Sequence, residues 1–419
     1  MLTPGFAPGL GTDARVASGA PDSSEPCFET ITQERDFLAL EREWDQLWAR
    51  THRPQFSHRF AWFRHGWETT GRPRGRRMFI VVMRVNGRAV LIWPLAVHRR
   101  LAWQVGAPLG PEFTEYDSVL VEDSPAAADH LRAALGFLHR HCPADLVVVP
   151  HARAGSAMQA VLSAETLPGT RHTLPSPLVS FAGFASWDAY WNARSKNTRG
   201  NTGRRSRRFA ELGTVTYELI EDRAEFEALL AWTLAHKVEW MARMRLDNDF
   251  MRTSEFAQFL RVMGTTVTAP ETRPGRLVMF ALKLGGKTVA TKIGTLDALR
   301  YEGFIAAQDP DFASYSTGAI AMMECLKWCM ARGLEYDFRI GEEPYKLDWA
   351  TDDRPATTYR LAIRRGGRAL LACEAAFLTL RIAKDRLRTS IPAERRRRAK
   401  ATILNLLGRG KPAQAPERS

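Results

Sequence analysis

Apolar positions along this chain fall into two runs of alternating element types. Over residues 30–70, Phe37, Leu40, Trp44, Leu47 and Trp48 recur at helical spacing. MFIVVMRV (78–85) and RAVLIWPLAV (88–97) then flank Asn86-Gly87, a strong short-range hairpin signal. A third strand is expected near Tyr116–Val121, then a helix over 125–140 that opens on Ser124 and Pro125, and a buried strand at 145–150.

The same order returns further on. RLVMFALKL (276–284) and TVATKIGTL (288–296) flank Gly285-Gly286-Lys287, LRYEGFIAA (299–307) makes a third strand, and a loop leads into an apolar helix over 318–333. LEYDFRI (334–340) reads as a buried strand. Each part therefore reads hairpin, strand, loop, helix, strand, which we take as a duplicated architecture; two unrelated α/β modules of like order are the alternative. Between them lie helices over 187–209 (expected to break near Gly200–Gly203), 221–244 and 254–267. A last helix over 369–388 is apolar early and basic late.

This pattern predicts an α/β fold divided as a leader (1–27), an N-terminal domain (28–178), a C-terminal domain (179–368) and a closing helix with a basic tail (369–419). The leader is rich in Pro, Gly, Ala and Ser; it reads as disordered and lacks the pattern of a secretory signal. No run of apolar residues reaches membrane-span length, and a cytoplasmic protein is expected. Five scattered cysteines fit reduced thiols, with Cys325 and Cys329 as a buried i,i+4 pair, and no metal site is expected.

Charge changes the picture only locally. The net +13 divides into +7 from residues 194–208, +7 from 385–419, and −1 from all the rest. The first segment suits phosphates through Arg199, Arg204, Arg205 and Arg208; a solvated helix face is the plain alternative. The tail suits weak contact with a membrane surface, or simply water.

Three further features carry candidate chemistry. Ser316-Thr317-Gly318 opens the 318–333 helix, where unpaired N–H groups suit a phosphate, unless they serve only as an ordinary cap. After the 334–340 strand come Gly341, Glu342, Glu343, Tyr345 and Lys346. There an acid can take a proton from a nucleophile, and Tyr345 or Lys346 can stabilise an oxyanion; a surface turn is the alternative. Glu302 in mid-strand is either a base with raised pKa or a side chain alternating out to water.

Four stretches resemble the CelD-type branch of the GNAT superfamily of acyltransferases: SKNTRGNTGRRSRRFAELGTVTYEL after Trp187, GGKTVATKIGTL, YEGFIAAQDPDFASYSTGAIAMMECLKW and YDFRIGEEPYKLDW. The likeness spans about residues 180–365, with 30–175 as a looser, degenerate half. It implies tandem GNAT-like domains, each a mixed, largely antiparallel sheet flanked by helices. It implies transfer of an acyl group, acetyl above others, from acyl-CoA to an amine or hydroxyl of a saccharide or small molecule, in polysaccharide or cell-envelope synthesis, with no bound cofactor. By the same likeness Ser316, Thr317 and Gly318 would hold the CoA pyrophosphate, Glu302 or Glu342 would be the base, and Tyr345 would shape the pocket. Fem-type aminoacyltransferases share the fold and use charged tRNA; their lysine after an aromatic residue is similar to Tyr345-Lys346, which makes Lys346 the leading catalytic candidate. A tRNA-dependent aminoacyltransferase and a non-catalytic scaffold for exopolysaccharide assembly are the alternatives.

Overall fold

A computed structural model describes residues 26–111, 114, 116–165, 168–246, 249–265 and 276–390. The first part contains β1 (Cys27–Ile31), α1 (Glu34–Ala39), α2 (Glu41–Arg50), α3 (Phe60–Gly66), β2 (Arg77–Val85), β3 (Arg88–Arg100), β4 (Trp103–Pro108), β5 (Leu120–Val121), α4 (Ala127–His141), β6 (Leu146–Arg153), α5 (Ala157–Ala164) and β7 (Gly169–Leu174). The second contains β8 (Pro177–Val179), α6 (Trp187–Asn192), α7 (Lys196–Ala210), β9 (Val215–Leu219), α8 (Arg223–Met244), α9 (Ser254–Thr265), β10 (Arg276–Leu284), β11 (Lys287–Leu296), β12 (Arg300–Gln308), α10 (Thr317–Met330), β13 (Glu335–Asp337), α11 (Pro344–Trp349) and β14 (Asp352–Asp353). The chain then adds β15 (Ala356–Ala362) and α12 (Arg365–Ser390).

These strands form two mixed sheets. One runs β1-β2-β3-β4-β6-β15-β7, with β5 also on β3, and the other runs β14-β8-β13-β12-β11-β10-β9. Both central hairpins turn on residues with positive φ, Asn86-Gly87 and Gly285-Gly286, whose twist matches that of the flanking strands. Each sheet is covered on both faces, which is why its strands read as near-continuous apolar runs. Val81 and Met83 pack on the α4–α5 side, whereas Ile80 and Val82 pack against Trp44, Phe60 and Trp67 of the α1–α3 side. In the second sheet Met279 and Ala281 face α8 and α9, while Val278 and Phe280 face α10. Trp62 of the first part is inserted into the second part's core, its ring 4.9 Å from Phe259.

Four local expectations are corrected. The third strand of the first part is Trp103–Pro108, and of the expected Tyr116–Val121 segment only Leu120–Val121 joins the sheet. The break in the 187–209 helix falls at Ala193–Ser195, where the Ser195 hydroxyl accepts from Thr198 N–H at 3.0 Å; Gly200 and Gly203 lie inside α7. The expected strand 334–340 ends at Asp337, because Arg339 (φ 63°) and Gly341 (φ 135°) turn the chain away. Residues 356–362, expected with the C-terminal domain, pair instead with β6 and β7 of the first sheet. The expected 1–27 leader overlaps β1 at Cys27; its first 25 residues, and positions 391–419 of the tail, lie outside the described residues.

β15 is a working part of the first core. Tyr359 is buried there and its hydroxyl meets Ser163 at 2.7 Å. Tyr359→Ala should lower stability by about 3–5 kcal/mol, the usual cost of truncating a buried aromatic, measured as the shift of a urea-unfolding midpoint.

Candidate functional site

The second sheet forks. β12 and β13 pair in parallel only at Arg300–Glu302 against Glu335–Asp337. Beyond that point β12 continues to Gln308 while the other branch departs through Arg339 and Gly341. A fork opens between the branches, and Ala306 of β12, past the last β13 partner, is exposed. Tyr336 crosses its base, with the phenol against Gly303: a Cβ there would lie 2.4 Å from the hydroxyl, so the close approach requires glycine. The Arg339 guanidinium lies 4.5 Å from the Phe304 ring centre.

Lys346 stands in the first turn of α11 and is buried. Its ammonium donates to Ile340 O at 2.5 Å and pairs with Glu343 at 3.0 Å, pinning the turn at Gly341. Tyr345 is half exposed, with its ring 6.4 Å from Phe338, and Glu342 is exposed. On the opposite branch Lys292 is buried in β11 directly across from Ala306, its ammonium 5.6 Å from the Tyr336 ring centre. Burial pushes its pKa below the ordinary lysine range. Lys237 of α8 is lowered for the same reason, and Glu343 opposes the shift. These two lysines were not foreseen; a single lysine inside the apolar run TVATKIGTL was the available signal for Lys292.

At the far end of β12 is the start of α10. Gln308 Oε1 accepts from Gly318 N–H at 3.0 Å, so that donor already has a partner within the chain. Thr317 is buried, and Ser316 adopts φ 51°. Arg205 reaches over from α7 and donates to Ser316 Oγ at 2.6 Å, and the Arg208 guanidinium lies 5.7 Å from the Tyr315 ring centre. The fold thus brings Arg205 to Ser316 and Arg208 to Tyr315. Arg204 is exposed on the same helix. Arg199 instead bonds back to Arg194 O (3.2 Å) and Asn192 Oδ1 (3.1 Å), a local helix-capping role.

Glu302 is neither exposed nor isolated. It is fully enclosed in a charged network at the seam between the two sheets. Asp337 at the end of β13 is ion-paired with Arg153 at the end of β6, accepts from Tyr116 Oη at 3.0 Å and from Arg339 N–H at 2.7 Å. Arg300 pairs with Asp297 at 3.4 Å. Burial would raise Asp337, but Arg153 and Arg300 hold its carboxyl below the usual range. Burial and the neighbouring Asp337 charge push Glu302 up to about 7, against the pull of Arg300 and Arg153. Burial also lifts Asp117 to about 7 and drops His58 to about 4. Beside this network a cavity of about 290 Å³ opens between the sheets, with His58, Asp117, Arg153 and Arg300 on one side and Val119, Leu131 and Met158 on another.

Residues 196–347 match the family described as "Acetyltransferase (GNAT) domain", a span running from the start of α7 to just past Lys346. No curated protein matches the chain. Among solved structures, FemX superposes with a TM-score of 0.54 at 9% identity, covering 79% of this chain and 96% of that one. A conserved protein of unknown function from Bacteroides thetaiotaomicron gives 0.49 at 13% identity (80% and 99% covered). A tandem GNAT protein from the clavulanic acid biosynthesis pathway gives 0.43 at 12% (81% and 99%). The fold is therefore α/β, with mixed sheets flanked by helices as in FemX, and residues 196–347 match a GNAT acetyltransferase domain, which supports an acyltransferase activity.

The Arg153–Asp337 pair should dominate the seam energetically. Asp337→Leu leaves Arg153 buried without its partner and should cost about 3–5 kcal/mol, with much of that loss recovered in Arg153→Met/Asp337→Leu. A double-mutant cycle of unfolding free energies measures both.

Proposed function

We propose that this enzyme transfers an acyl group, acetyl above others, from acyl-CoA to an amine or hydroxyl of a saccharide or related small molecule, as a CelD-type GNAT protein. One observation carries the reading: β12 and β13 part immediately after Glu302, a buried carboxyl, and the β12 branch leads on to a helix start flanked by arginines. In this reading the CoA phosphates lie against Ser316 with Arg205 and Arg208, since the Gly318 N–H expected to hold them is taken by Gln308 and Thr317 is buried, and the acyl chain runs along the exposed side of β12.

The chemistry is direct. The acceptor's lone pair attacks the thioester carbonyl, the C–S bond breaks, and the CoA thiolate leaves and is protonated. The proton lost by the acceptor passes to Glu302, whose pKa near 7 suits a base at neutral pH. In this reading the Lys346 ammonium, held by Ile340 O and Glu343, supplies a further donor to the developing oxyanion. Tyr345, in this reading, shapes the pocket or relays a proton. The cavity lined by Arg153 and Arg300, whose charges also act on Glu302, has polar and apolar walls that suit a small acceptor. Positioning of the two reactants supplies much of the rate.

A tRNA-borne aminoacyl donor is the second reading. The observation in its favour is the exposed row Arg204, Arg205 and Arg208 on α7. Thermal shifts separate the two. Acetyl-CoA should raise the melting temperature, whereas a tRNA donor requires binding that falls steeply with salt.

With Glu302 as base, kcat/KM rises with pH to a plateau above about 7, because the carboxylate form is the active one. Glu302→Gln should lower kcat about 10²–10⁴-fold and abolish that limb. If Glu302→Gln keeps activity while Glu342→Gln loses it, the base is Glu342. Lys346→Ala should lower kcat about 10²–10³-fold, with circular dichroism to show that the fold survives.

A further inference from the structure

α12 begins as a packed helix and is bare from Ala375 to Ala383. Its first turns rest on the first sheet, where Leu370 is buried with Val105, Leu146 and Ala362. Glu374 then anchors it through Arg360 at 2.5 Å and Arg100 at 3.0 Å. From Ala375 through Ala383 every residue is exposed, and four are large and apolar: Phe377 (70%), Leu378 (57%), Leu380 (68%) and Ile382 (44%). A helix turns about 100° per residue, so Leu378 and Ile382 lie on a different side from Phe377 and Leu380. Apolar surface wrapped around a helix this way is normally covered.

We propose that the exposed half of α12 docks onto an anionic lipid surface. The charge that follows selects this occupant. From Arg381 to the last residue there are twelve basic and three acidic side chains, a net +9. That charge repels the same segment of a second copy and is drawn to acidic headgroups. A protein groove covers one stripe of a helix, whereas the boundary of headgroups and acyl chains receives apolar side chains from more than one side while the cations stay at the phosphates. Attachment is at the surface: no described helix is long and apolar enough to cross a membrane. This inference is independent of the acyl-transfer reading.

The test is co-sedimentation of the full chain with vesicles of phosphatidylcholine alone or mixed with phosphatidylglycerol. Binding should require the anionic lipid and weaken with salt. Phe377→Ser/Leu380→Ser should bind about tenfold less while its melting temperature stays unchanged, since both side chains are exposed. A chain ending at Ser390 should bind more weakly, yet remain sensitive to the same double substitution. The proposal is overturned if phosphatidylglycerol vesicles bind no more protein than phosphatidylcholine, or if the double variant binds as well as the original. It is also overturned if light scattering shows a dimer that the double variant dissolves, since the apolar turns would then be covered by a second copy.

Discussion

A guanidinium from one sheet and a buried carboxylate from the other meet at the seam, and much of this molecule is arranged around them. Arg153 closes β6 and Asp337 closes β13. The pair is held further by Tyr116, which stacks its ring 3.9 Å from the Arg153 guanidinium and donates its hydroxyl to Asp337. Two charges buried this deeply are not a source of net stability by default, since both lose their hydration. Their effect is positional. An orientation of the sheets that separated them would strand each charge in low dielectric, so the pair selects one docking. The same docking encloses Glu302 among Arg153, Arg300, Asp297 and Asp337, and the balance of those charges against burial sets its proton affinity.

Local elements were readable where local forces decide them. Asn86-Gly87 and Gly285-Gly286 announce their hairpins because only a few residue types tolerate the required backbone. The long helices follow from periodic apolar positions. Elsewhere a local rule was outvoted. Gly200 and Gly203 suggested a break, but Ser195 offers its hydroxyl to Thr198 N–H and starts α7 before either glycine. The end of β13 depends on Arg339, a residue whose left-handed backbone has no composition signal. The destination of β15 is a long-range matter: TTYRLA reads as a strand, but nothing within it names its partners.

The site was legible to a similar degree. Lys346, Ser316 and the α7 arginines stood out by motif and resemblance, and Arg205 does meet Ser316. Arg199 lies in the same basic run but turns back on its own helix. Alternation along β12 separates Glu302 from Tyr301 correctly, yet period two tells only which face a side chain takes, not what covers that face. Part of the cover comes from Arg153, 149 positions away in the chain, whose role appears only once the sheets are docked. Lys292 escaped notice because a lysine in a strand is ordinarily read as an outward-facing residue.

The return of the chain to its first sheet also bears on how the protein is made. A strand between β6 and β7 is supplied by residues 356–362, which leave the ribosome long after both neighbours. During translation the first sheet therefore waits with two unfilled edges, and its core closes only after the second sheet's strands β8 to β14 have been synthesised. The order of elongation, which lets most N-terminal units fold early, here delays the first unit until nearly the end and makes the two parts mature as one.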